Sequence, residues 1–340
     1  MCEPFKKNTT KINPSNITIK LGGQCNLNCK YCHSKRIDYM YNPEIIQWIK
    51  KTGCKHITFS GGEPTIYFDL IKKIVLALGL EFEYTIVTNA TLINDEMISF
   101  FNNYKIAVVV SYDGENSKRD FSYIPDYRKV GGIKNRGLNH VFYGQSESLF
   151  ELQKEITWFR KKYWNENSAA SFYPNFVHQT EKTPKEQMPV KKYVQQFGQL
   201  LELDFLKLRI TNDVAPLCIL KDAFYKWIQK KDYRGVACFN EKTVSISIAG
   251  DFLVCPYNQE TKVGDIYHEI NWDIIEKKYL PERCSDCEIK NICKCTCVEN
   301  KTLNECYIAK VLNKHMRKLM KKYNYSYEEL NEIIMNSPIK

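Results

Sequence analysis

Three cysteines lie close together near the start of the chain, at Cys25, Cys29 and Cys32, with C-x3-C-x2-C spacing. They follow a predicted strand, Ile17–Leu21, on a loop rich in glycine and asparagine. Three thiolates on one short loop can bind one metal centre. Iron–sulfur clusters are usually held by four Cys thiolates, so a [4Fe–4S] cluster on three would keep one iron open for another ligand. The alternative is a zinc site with His33 as a fourth ligand.

Polar motifs follow the next three predicted strands. Strand His56–Ser60 is followed by Gly-Gly-Glu-Pro at positions 61–64, strand Phe82–Thr88 by Asn89, and strand Ile106–Ser111 by Tyr-Asp-Gly at 112–114. Glycines let a backbone approach a ligand closely, and a carboxylate can accept an ammonium group. Ligand sites in parallel α/β folds lie at the carboxyl ends of the strands. We therefore expect these motifs and the cysteine loop to form one site.

The spacing of apolar residues predicts alternating strands and helices from residue 16 to about residue 210. The predicted strands are Ile17–Leu21, His56–Ser60, Phe82–Thr88, Ile106–Ser111, His140–Tyr143 and Phe205–Ile210. The predicted helices are Pro43–Lys51, Phe68–Leu78, Asp95–Phe101, Leu149–Tyr163 and Lys185–Leu201. Strands alternating with helices of this length indicate parallel βα units, and six such units fit a partial (β/α)6 barrel.

The composition favours a metal-binding protein of the cytoplasm. The chain has 340 residues, 44% of them hydrophobic, which is enough for one large or two smaller domains. No signal peptide or membrane span is predicted, so we expect a soluble, cytoplasmic protein. Fourteen cysteines in such a chain favour metal binding over disulfides. The net charge of +10 is densest at Lys310–Lys322, and we interpret it as a solvated surface rather than a nucleic-acid-binding face.

A second group of cysteines lies between residues 238 and 306. Cys238 precedes a predicted hairpin, in which strand Thr243–Ile248 turns at Ala249–Asp251 and the return strand ends at Cys255. The other members are Cys284, Cys287, Cys293, Cys295, Cys297 and Cys306. Such spacing is typical of metal sites, either zinc or iron–sulfur. The number of patterned thiols in the two groups favours iron–sulfur clusters.

Together these motifs resemble the radical S-adenosylmethionine (SAM) enzymes, whose signature is C-x3-C-x-aromatic-C, with Tyr31 at the aromatic position. The second cysteine group resembles the SPASM extension of relatives such as anaerobic sulfatase-maturing enzymes and maturases of ribosomally made peptides. The resemblance covers roughly residues 16–306. It implies an α/β fold with a partial (β/α)6 TIM-like barrel and a cysteine-rich SPASM-type auxiliary-cluster domain. The domains expected are an N-terminal extension at 1–15, the barrel at 16–215, the SPASM-type domain at 216–306 and C-terminal helices at 307–340.

The resemblance also implies a cofactor and its ligands. Cys25, Cys29 and Cys32 are expected to bind a [4Fe–4S] cluster whose open iron binds the amine and carboxylate of SAM. An electron from the cluster then cleaves SAM to a 5′-deoxyadenosyl radical, and the protein supplies binding and orientation. The residues expected to bind SAM are Tyr31, Gly61, Gly62, Glu63, Thr88, Asn89 and Ser111.

The sequence departs from the family pattern at two places. Where relatives have an arginine for the SAM carboxylate, this chain has Tyr123, with Arg119 and Arg128 on either side, and the choice between those arginines stays open. Ala90 stands where relatives have glycine. We therefore expect no positive φ at residue 90.

Two auxiliary [4Fe–4S] clusters are implied by the SPASM resemblance. The first would be bound by Cys238, Cys255 and Cys297, and the second by Cys284, Cys287, Cys293 and Cys306. The fourth iron of the first cluster is either open, and able to bind substrate, or closed by Cys218 or Cys295. Cys218 has two further interpretations: it donates a hydrogen atom to a substrate radical, or it is a core cysteine.

The favoured hypothesis is a radical SAM enzyme that abstracts a hydrogen atom from a peptide or protein substrate. The modification would be a crosslink, an epimerisation or an oxidation, with a flavodoxin- or ferredoxin-type electron donor. The alternative within this class is a small non-peptide substrate. The alternative of a different class is a non-catalytic zinc- or nucleic-acid-binding module.

Overall fold

The computed structural model describes residues 12–32, 34–115, 120, 123–142, 148–166, 174–176, 190–211, 218–280, 282–294 and 304–336. Its strands are β1 (Asn16–Lys20), β2 (His56–Ser60), β3 (Glu83–Thr88), β4 (Ala107–Ser111), β5 (Arg136–Phe142), β6 (Pro174–Phe176), β7 (Gly235–Val236), β8 (Phe239–Asn240), β9 (Thr243–Ser247), β10 (Asp251–Cys255) and β11 (Asn258–Asp265). Its helices are α1 (Glu44–Thr52), α2 (Phe68–Leu78), α3 (Asp95–Asn103), α4 (Tyr127–Val130), α5 (Leu149–Trp164), α6 (Val190–Thr211), α7 (Cys218–Trp227), α8 (Trp272–Tyr279), α9 (Lys290–Cys293), α10 (Asn304–Tyr323) and α11 (Tyr327–Asn336). Short 3-10 turns span Pro64–Tyr67 and Glu282–Cys284.

Strands β1 to β6 pair in chain order, each parallel to the next. This arrangement confirms the predicted α/β class with a parallel sheet. On the other side of β1 lies β9, also parallel to it, and β10 and β11 continue the sheet as antiparallel strands. The predicted hairpin therefore forms, and it extends the parallel sheet. Cys255, at the end of β10, therefore lies in the same sheet as the six parallel strands.

Alternating burial explains why the strands form where they do. In β1, Ile17 and Ile19 are fully buried, and they pair in register with Ile57 and Phe59 of β2. These apolar side chains lie in the same hydrophobic core as the buried face of α2. The other face of the strands bears polar residues, a pattern that leaves one side of the sheet available for chemistry. None of the described helices is both long and apolar enough to cross a membrane.

Two helices begin with side-chain caps of the kind that their residue types predict. The side chain of Asn94 accepts a hydrogen bond from the Met97 amide, which satisfies one of the free N–H groups at the start of α3. At α11, Ser326 and Glu329 form a capping box, because each accepts the other's backbone N–H, at 3.1 and 2.8 Å.

The predicted sixth strand is wrong. Residues 205–210 belong to α6, and the sixth parallel strand is the short β6 instead. The alternation of Phe205, Leu208 and Ile210 with basic residues resembles a strand, but only Phe205 and Leu208 are buried, at helical spacing, while Ile210 is 73% exposed. The predicted start of this helix at Lys185 lies outside the described residues. Strand β5 also begins at Arg136, earlier than the predicted His140.

The expectation for Ala90 is also wrong, because its φ is +64°. A left-handed conformation costs an L-residue about 1 kcal/mol or more. Here the turn after β3 imposes it: the Ala90 amide donates a hydrogen bond to the hydroxyl of Thr88 (2.9 Å), and the alanine is buried. The turn after β3 thus holds an alanine in the left-handed region.

Candidate active site

The carboxyl ends of β1 to β4 bring the predicted motifs to one edge of the parallel sheet. The cysteine loop (residues 21–32) leaves β1, and the glycine turn (residues 60–64) leaves β2. Lys20 at the end of β1 pairs in register with Ser60, so the loop and the turn begin side by side. Asn89 follows β3, and Ser111 ends β4. The structure therefore assembles the four motifs that the sequence placed at four strand ends.

Backbone hydrogen bonds join the glycine turn directly to the cysteine loop. The Gly62 amide donates to the carbonyl of Gly22 (3.0 Å), and the Glu63 amide donates to the carbonyl of Gln24 (2.8 Å). A Cβ atom added at Gly62 would lie 2.2 Å from the Gln24 carbonyl oxygen. Glycine is required at position 62 because this approach leaves no room for a side chain.

Glu63 is almost completely buried, and its carboxylate is a hydrogen-bond acceptor for the neighbouring strand end. Its Oε1 accepts from the Thr65 amide (3.0 Å), the Thr65 hydroxyl (2.6 Å) and the Thr88 hydroxyl (2.6 Å). Its Oε2 accepts from the amide of Asn89 (2.7 Å). A buried carboxylate needs such donors to offset the loss of water. Two predicted site residues, Thr88 and Asn89, thus contact a third.

The side chain of Asn89 faces the cysteine loop. Its Nδ2 donates to Oδ1 of Asn26 (3.0 Å), and its Oδ1 accepts from the amide and hydroxyl of Thr91 (3.0 and 2.6 Å). Asn26 in turn donates to the Thr91 hydroxyl (2.7 Å). Asn89 therefore holds the cysteine loop against the end of β3. By contrast, the hydroxyl of Ser111 has no hydrogen-bond partner in the part of the chain described.

Tyr31 contacts the end of the fourth strand. Its ring is buried, and its hydroxyl donates to Oδ2 of Asp113, whose Oδ1 accepts from the Val141 amide (2.8 Å). Asp113, which lies in the Tyr-Asp-Gly motif after β4, is therefore a site residue in addition to those predicted. The Asp-Gly turn after β4 was the available signal.

Asp38 and Tyr67 support the cysteine loop from its outer side. Asp38 accepts from the Gly23 amide (3.0 Å), the Gln24 side chain (2.9 Å) and the Tyr67 hydroxyl (2.6 Å). The Tyr67 bond, followed by the Gln24 bond, lowers the pKa of Asp38. Burial, together with Asp38, raises the pKa of Tyr67 to about 12. Nothing in the sequence pattern pointed to these two residues, because they come from separate segments.

A cavity of about 310 Å³ lies beside Cys25, lined by residues 23–26, Arg36, Asp38 and Ile66. The Arg36 guanidinium donates to the carbonyl of Leu27 (2.7 Å) and so also holds the loop. Of the two arginines predicted for the SAM carboxylate, Arg128 is exposed on α4 and Arg119 lies outside the described residues. Arg36 is the cation that the structure places at this cavity.

The thiol of Cys25 lies among groups that disfavour a bare thiolate. Burial raises its pKa, the Leu27 amide 3.4 Å away lowers it, and the negative charges of Glu63, Cys32 and Cys29 raise it again. A thiolate here needs added positive charge, which bound iron supplies. The three thiols lie within electrostatic range of one another. No three His, Cys, Asp or Glu side chains of the described residues converge tightly enough for a single metal ion, whereas a cluster spreads its thiolates over several irons.

The C-terminal thiols form a second neighbourhood. Burial raises the pKa of Cys284, and the other causes that raise it are the charges of Cys306, Cys293 and Cys287. These four cysteines are the set predicted for the second auxiliary cluster, and the other three lie within electrostatic range of Cys284. Cys238 lies between β7 and β8. Burial lowers the pKa of Lys231, and the charges of Cys293 and Cys238 oppose that change. Burial raises the pKa of Tyr233, and the same two charges raise it further. Cys295 and Cys297 lie outside the described residues, and Cys218 is buried at the start of α7.

Lys20 is a further site residue that was not selected from the sequence. It is fully buried, and burial lowers its pKa to about 8, while the charges of Cys255 and Cys32 oppose that change. A single lysine between the apolar residues Ile19 and Leu21 was the available signal.

A family model described as the Radical SAM superfamily matches residues 19–154. Over 109 residues the chain is 34% identical to an uncharacterised protein of Methanocaldococcus jannaschii, covering 29% of this chain and 38% of that protein. Over 148 residues it is 32% identical to the 7-carboxy-7-deazaguanine synthase of Clostridium acetobutylicum, covering 41% and 63%. The chain thus spans less than two thirds of the length of these curated relatives.

Solved structures resemble a much larger part of the chain. Native anSMEcpe with bound AdoMet matches with a TM-score of 0.63 at 18% identity, covering 92% of this chain and 99% of that one. Streptococcus suis SuiB bound to precursor peptide SuiA matches with a TM-score of 0.53 at 20% identity, covering 83% and 71%. These likenesses establish a shared fold that extends into the C-terminal part of the chain.

Substitution of Gly62 by alanine should separate the glycine turn from the cysteine loop. The new Cβ cannot fit against the Gln24 carbonyl, and forced overpacking costs about 1–3 kcal/mol. We expect a lower free energy of unfolding and a loss of iron from the reconstituted protein. The matched control is Gly137→Ala in β5, where an added Cβ meets nothing within 4 Å. Equal stability and iron content of the two variants would contradict this assignment.

Proposed function

Because residues 19–154 form a domain of the Radical SAM superfamily, we propose that the chain is an enzyme that reductively cleaves SAM and abstracts a hydrogen atom from a peptide or protein substrate. The observation that supports this most directly is the attachment of the three-cysteine loop to the glycine turn through Gly62 and Glu63. That attachment places three thiols, a backbone edge and a buried carboxylate at one set of strand ends.

In this proposal the chain's own residues bind and orient, while the [4Fe–4S] cluster and SAM supply the electron transfer that yields a 5′-deoxyadenosyl radical. Cys25, Cys29 and Cys32 hold the cluster. Oε2 of Glu63 accepts one hydrogen bond where Oε1 accepts three, so Oε2 is the oxygen suited to the SAM ammonium. The Ser111 hydroxyl is suited to the SAM carboxylate or ribose.

Peptide or protein modification is favoured by the extent of the fold likeness. The neighbour anSMEcpe has been solved with AdoMet and the Cp18Cys peptide, and SuiB with its precursor peptide. Both likenesses reach well past residue 154, the end of the superfamily match. We infer a crosslinking, epimerising or oxidising enzyme that receives electrons from a flavodoxin or ferredoxin. The two auxiliary clusters belong to the same proposal, with Cys238, Cys255, Cys284, Cys287, Cys293, Cys297 and Cys306 as ligands.

A small non-peptide substrate is the second candidate. The similarity to 7-carboxy-7-deazaguanine synthase favours it, because that sequence identity is higher than the identity to either solved neighbour. Substrates commonly stimulate SAM cleavage by their enzyme, so the two candidates are separable by assay. A peptide encoded beside this chain that stimulates 5′-deoxyadenosine formation supports the first candidate. Stimulation by a small molecule in the absence of any peptide supports the second.

Anaerobic reconstitution of the full chain should yield about twelve iron atoms and as many acid-labile sulfides per chain, as expected for three four-iron clusters. Each proposed set of thiolates can bind one cluster and offset the positive charge of its iron atoms. Elemental analysis and sulfide determination measure this directly. Zinc without sulfide would instead favour the non-catalytic module.

Substitution of Cys29 by alanine should abolish 5′-deoxyadenosine formation in the presence of dithionite and SAM. Two thiolates on the cysteine loop cannot hold a cluster in the required orientation. Cys54→Ala is the matched control, because Cys54 is a buried thiol whose nearest partners are the carbonyls of His56 and Ser15, away from the loop. The control should retain turnover, and turnover by Cys29→Ala would refute the proposal.

Substitution of Glu63 by alanine should weaken SAM binding by about tenfold or more, since a hydrogen bond to a charged group contributes roughly 1.5–3 kcal/mol. Iron content should remain, because the three thiols and the backbone hydrogen bonds from Gly62 and Glu63 to the cysteine loop are all kept. Equilibrium binding of SAM to the reconstituted protein measures the effect. Glu83→Ala is the control: that carboxylate is 82% exposed at the opposite end of the parallel strands. Equal SAM affinity in parent and Glu63→Ala would exclude the assigned role.

A further inference from the structure

Lys20 is a cation buried where the two cysteine groups approach each other. It has no exposed surface, and it ends β1, the strand that separates β2 from β9. Its register partners are Ser60 on one side and Ser247 on the other. Within the described residues its ammonium has one hydrogen-bond contact, to Oγ of Ser34 at 3.5 Å, and no carboxylate within ion-pairing distance. A buried lysine without a carboxylate requires some other anion.

The groups that can supply such an anion are thiols from both cysteine groups, which become thiolates when they hold a cluster. Cys32, in the cysteine loop, and Cys255, at the end of β10, are the two groups whose negative charge acts on the Lys20 ammonium. Ser34 belongs to the segment that follows Cys32. The hairpin with Cys255 is attached to the same region, because the Ile248 amide donates to the Lys20 carbonyl (3.0 Å). The Lys35 amide likewise donates to the carbonyl of Tyr257 (3.0 Å).

We propose that Lys20 is a positioning residue whose ammonium is the shared counter-charge of the cluster on Cys25, Cys29 and Cys32 and of the cluster that includes Cys255. This inference rests on the proposed function, because it assumes that both thiol sets bind iron–sulfur clusters. Reduction adds negative charge to a cluster. A fixed positive charge nearby therefore stabilises the reduced form and raises the reduction potential.

The burial of Lys20 makes this influence strong and common to both sites. Charges inside a protein interact through a low effective dielectric and are only weakly screened by salt. A lysine at the surface exerts a smaller effect at the same separation, because water and ions screen it. One buried charge between two clusters should therefore change both potentials in the same direction.

The test compares the reduction potentials of both clusters in variants of the full, reconstituted chain, measured by spectroscopically monitored redox titration without SAM. Lys20→Met should shift both potentials to more negative values. Lys20→Gln, which keeps a hydrogen-bonding group near Ser34, should do the same. Lys20→Arg retains the charge and should leave both potentials near those of the parent. Lys30→Met, which removes the same charge from an exposed position in the cysteine loop, should give a smaller shift.

Each outcome decides the inference. Unchanged potentials in Lys20→Met, a shift of only one cluster, or an equal shift in Lys20→Arg would overturn it. Loss of iron from Lys20→Met and Lys20→Gln with retention in Lys20→Arg would support it, because charge separates these variants. Loss from all three would overturn it. A parent protein that binds iron and responds spectroscopically to SAM sustains the proposed function whatever these variants do, so the two failures are distinguishable.

Discussion

The buried carboxylate of Glu63 is the interaction on which the candidate site depends. Its two oxygens accept four hydrogen bonds from the glycine turn and from the end of β3. Each of these donors would otherwise be a polar group buried without a partner. The same residue donates its backbone amide to the cysteine loop. One residue thereby links three strand ends, with its side chain bound to the end of β3 and its backbone amide bound to the loop that follows β1.

Two further groups of hydrogen-bonded side chains lie beside Glu63 and contact the cysteine loop. Asn26, Asn89 and Thr91 hold the loop against β3, while Tyr31 and Asp113 hold it against the turn after β4. Such networks rigidify a site when every member finds a partner. These bonds hold the loop against two strand ends, so a cluster bound there would be presented in one orientation. Preorganisation of this kind is what radical chemistry requires, because a reactive intermediate must meet its substrate before it meets anything else.

The pairing of β9 with β1 gives the second cysteine group a defined place. A hairpin attached to a separate domain could move independently, but five register pairs join β9 to the central strand. Cys255 therefore lies at a fixed position relative to the cysteine loop, with Lys20 buried between them. The hairpin that carries Cys255 is thus an extension of the parallel sheet.

Much of this architecture was accessible from the sequence, because its determinants are local. Three features depend only on residues close together in the chain. They are the spacing of Cys25, Cys29 and Cys32, the glycine turn after β2, and the alternation of apolar residues in the first four strands. The errors arose where local pattern was ambiguous. Residues 205–210 alternate like a strand, yet they belong to α6, since packing of Phe205 and Leu208 against the core decides the matter. Ala90 adopts a positive φ because the turn it occupies outweighs the cost of that conformation.

The tertiary structure decided everything that depends on residues far apart in the chain. Asp38 and Tyr67 support the loop, Glu63 accepts four hydrogen bonds, and Lys20 lies near Cys255. Each of these contacts joins segments that share no sequence signal. Residue types and spacing determined which chemistry the chain is equipped for. Only the folded sheet decided which charges meet, because electrostatic and hydrogen-bond energies depend on distance and burial.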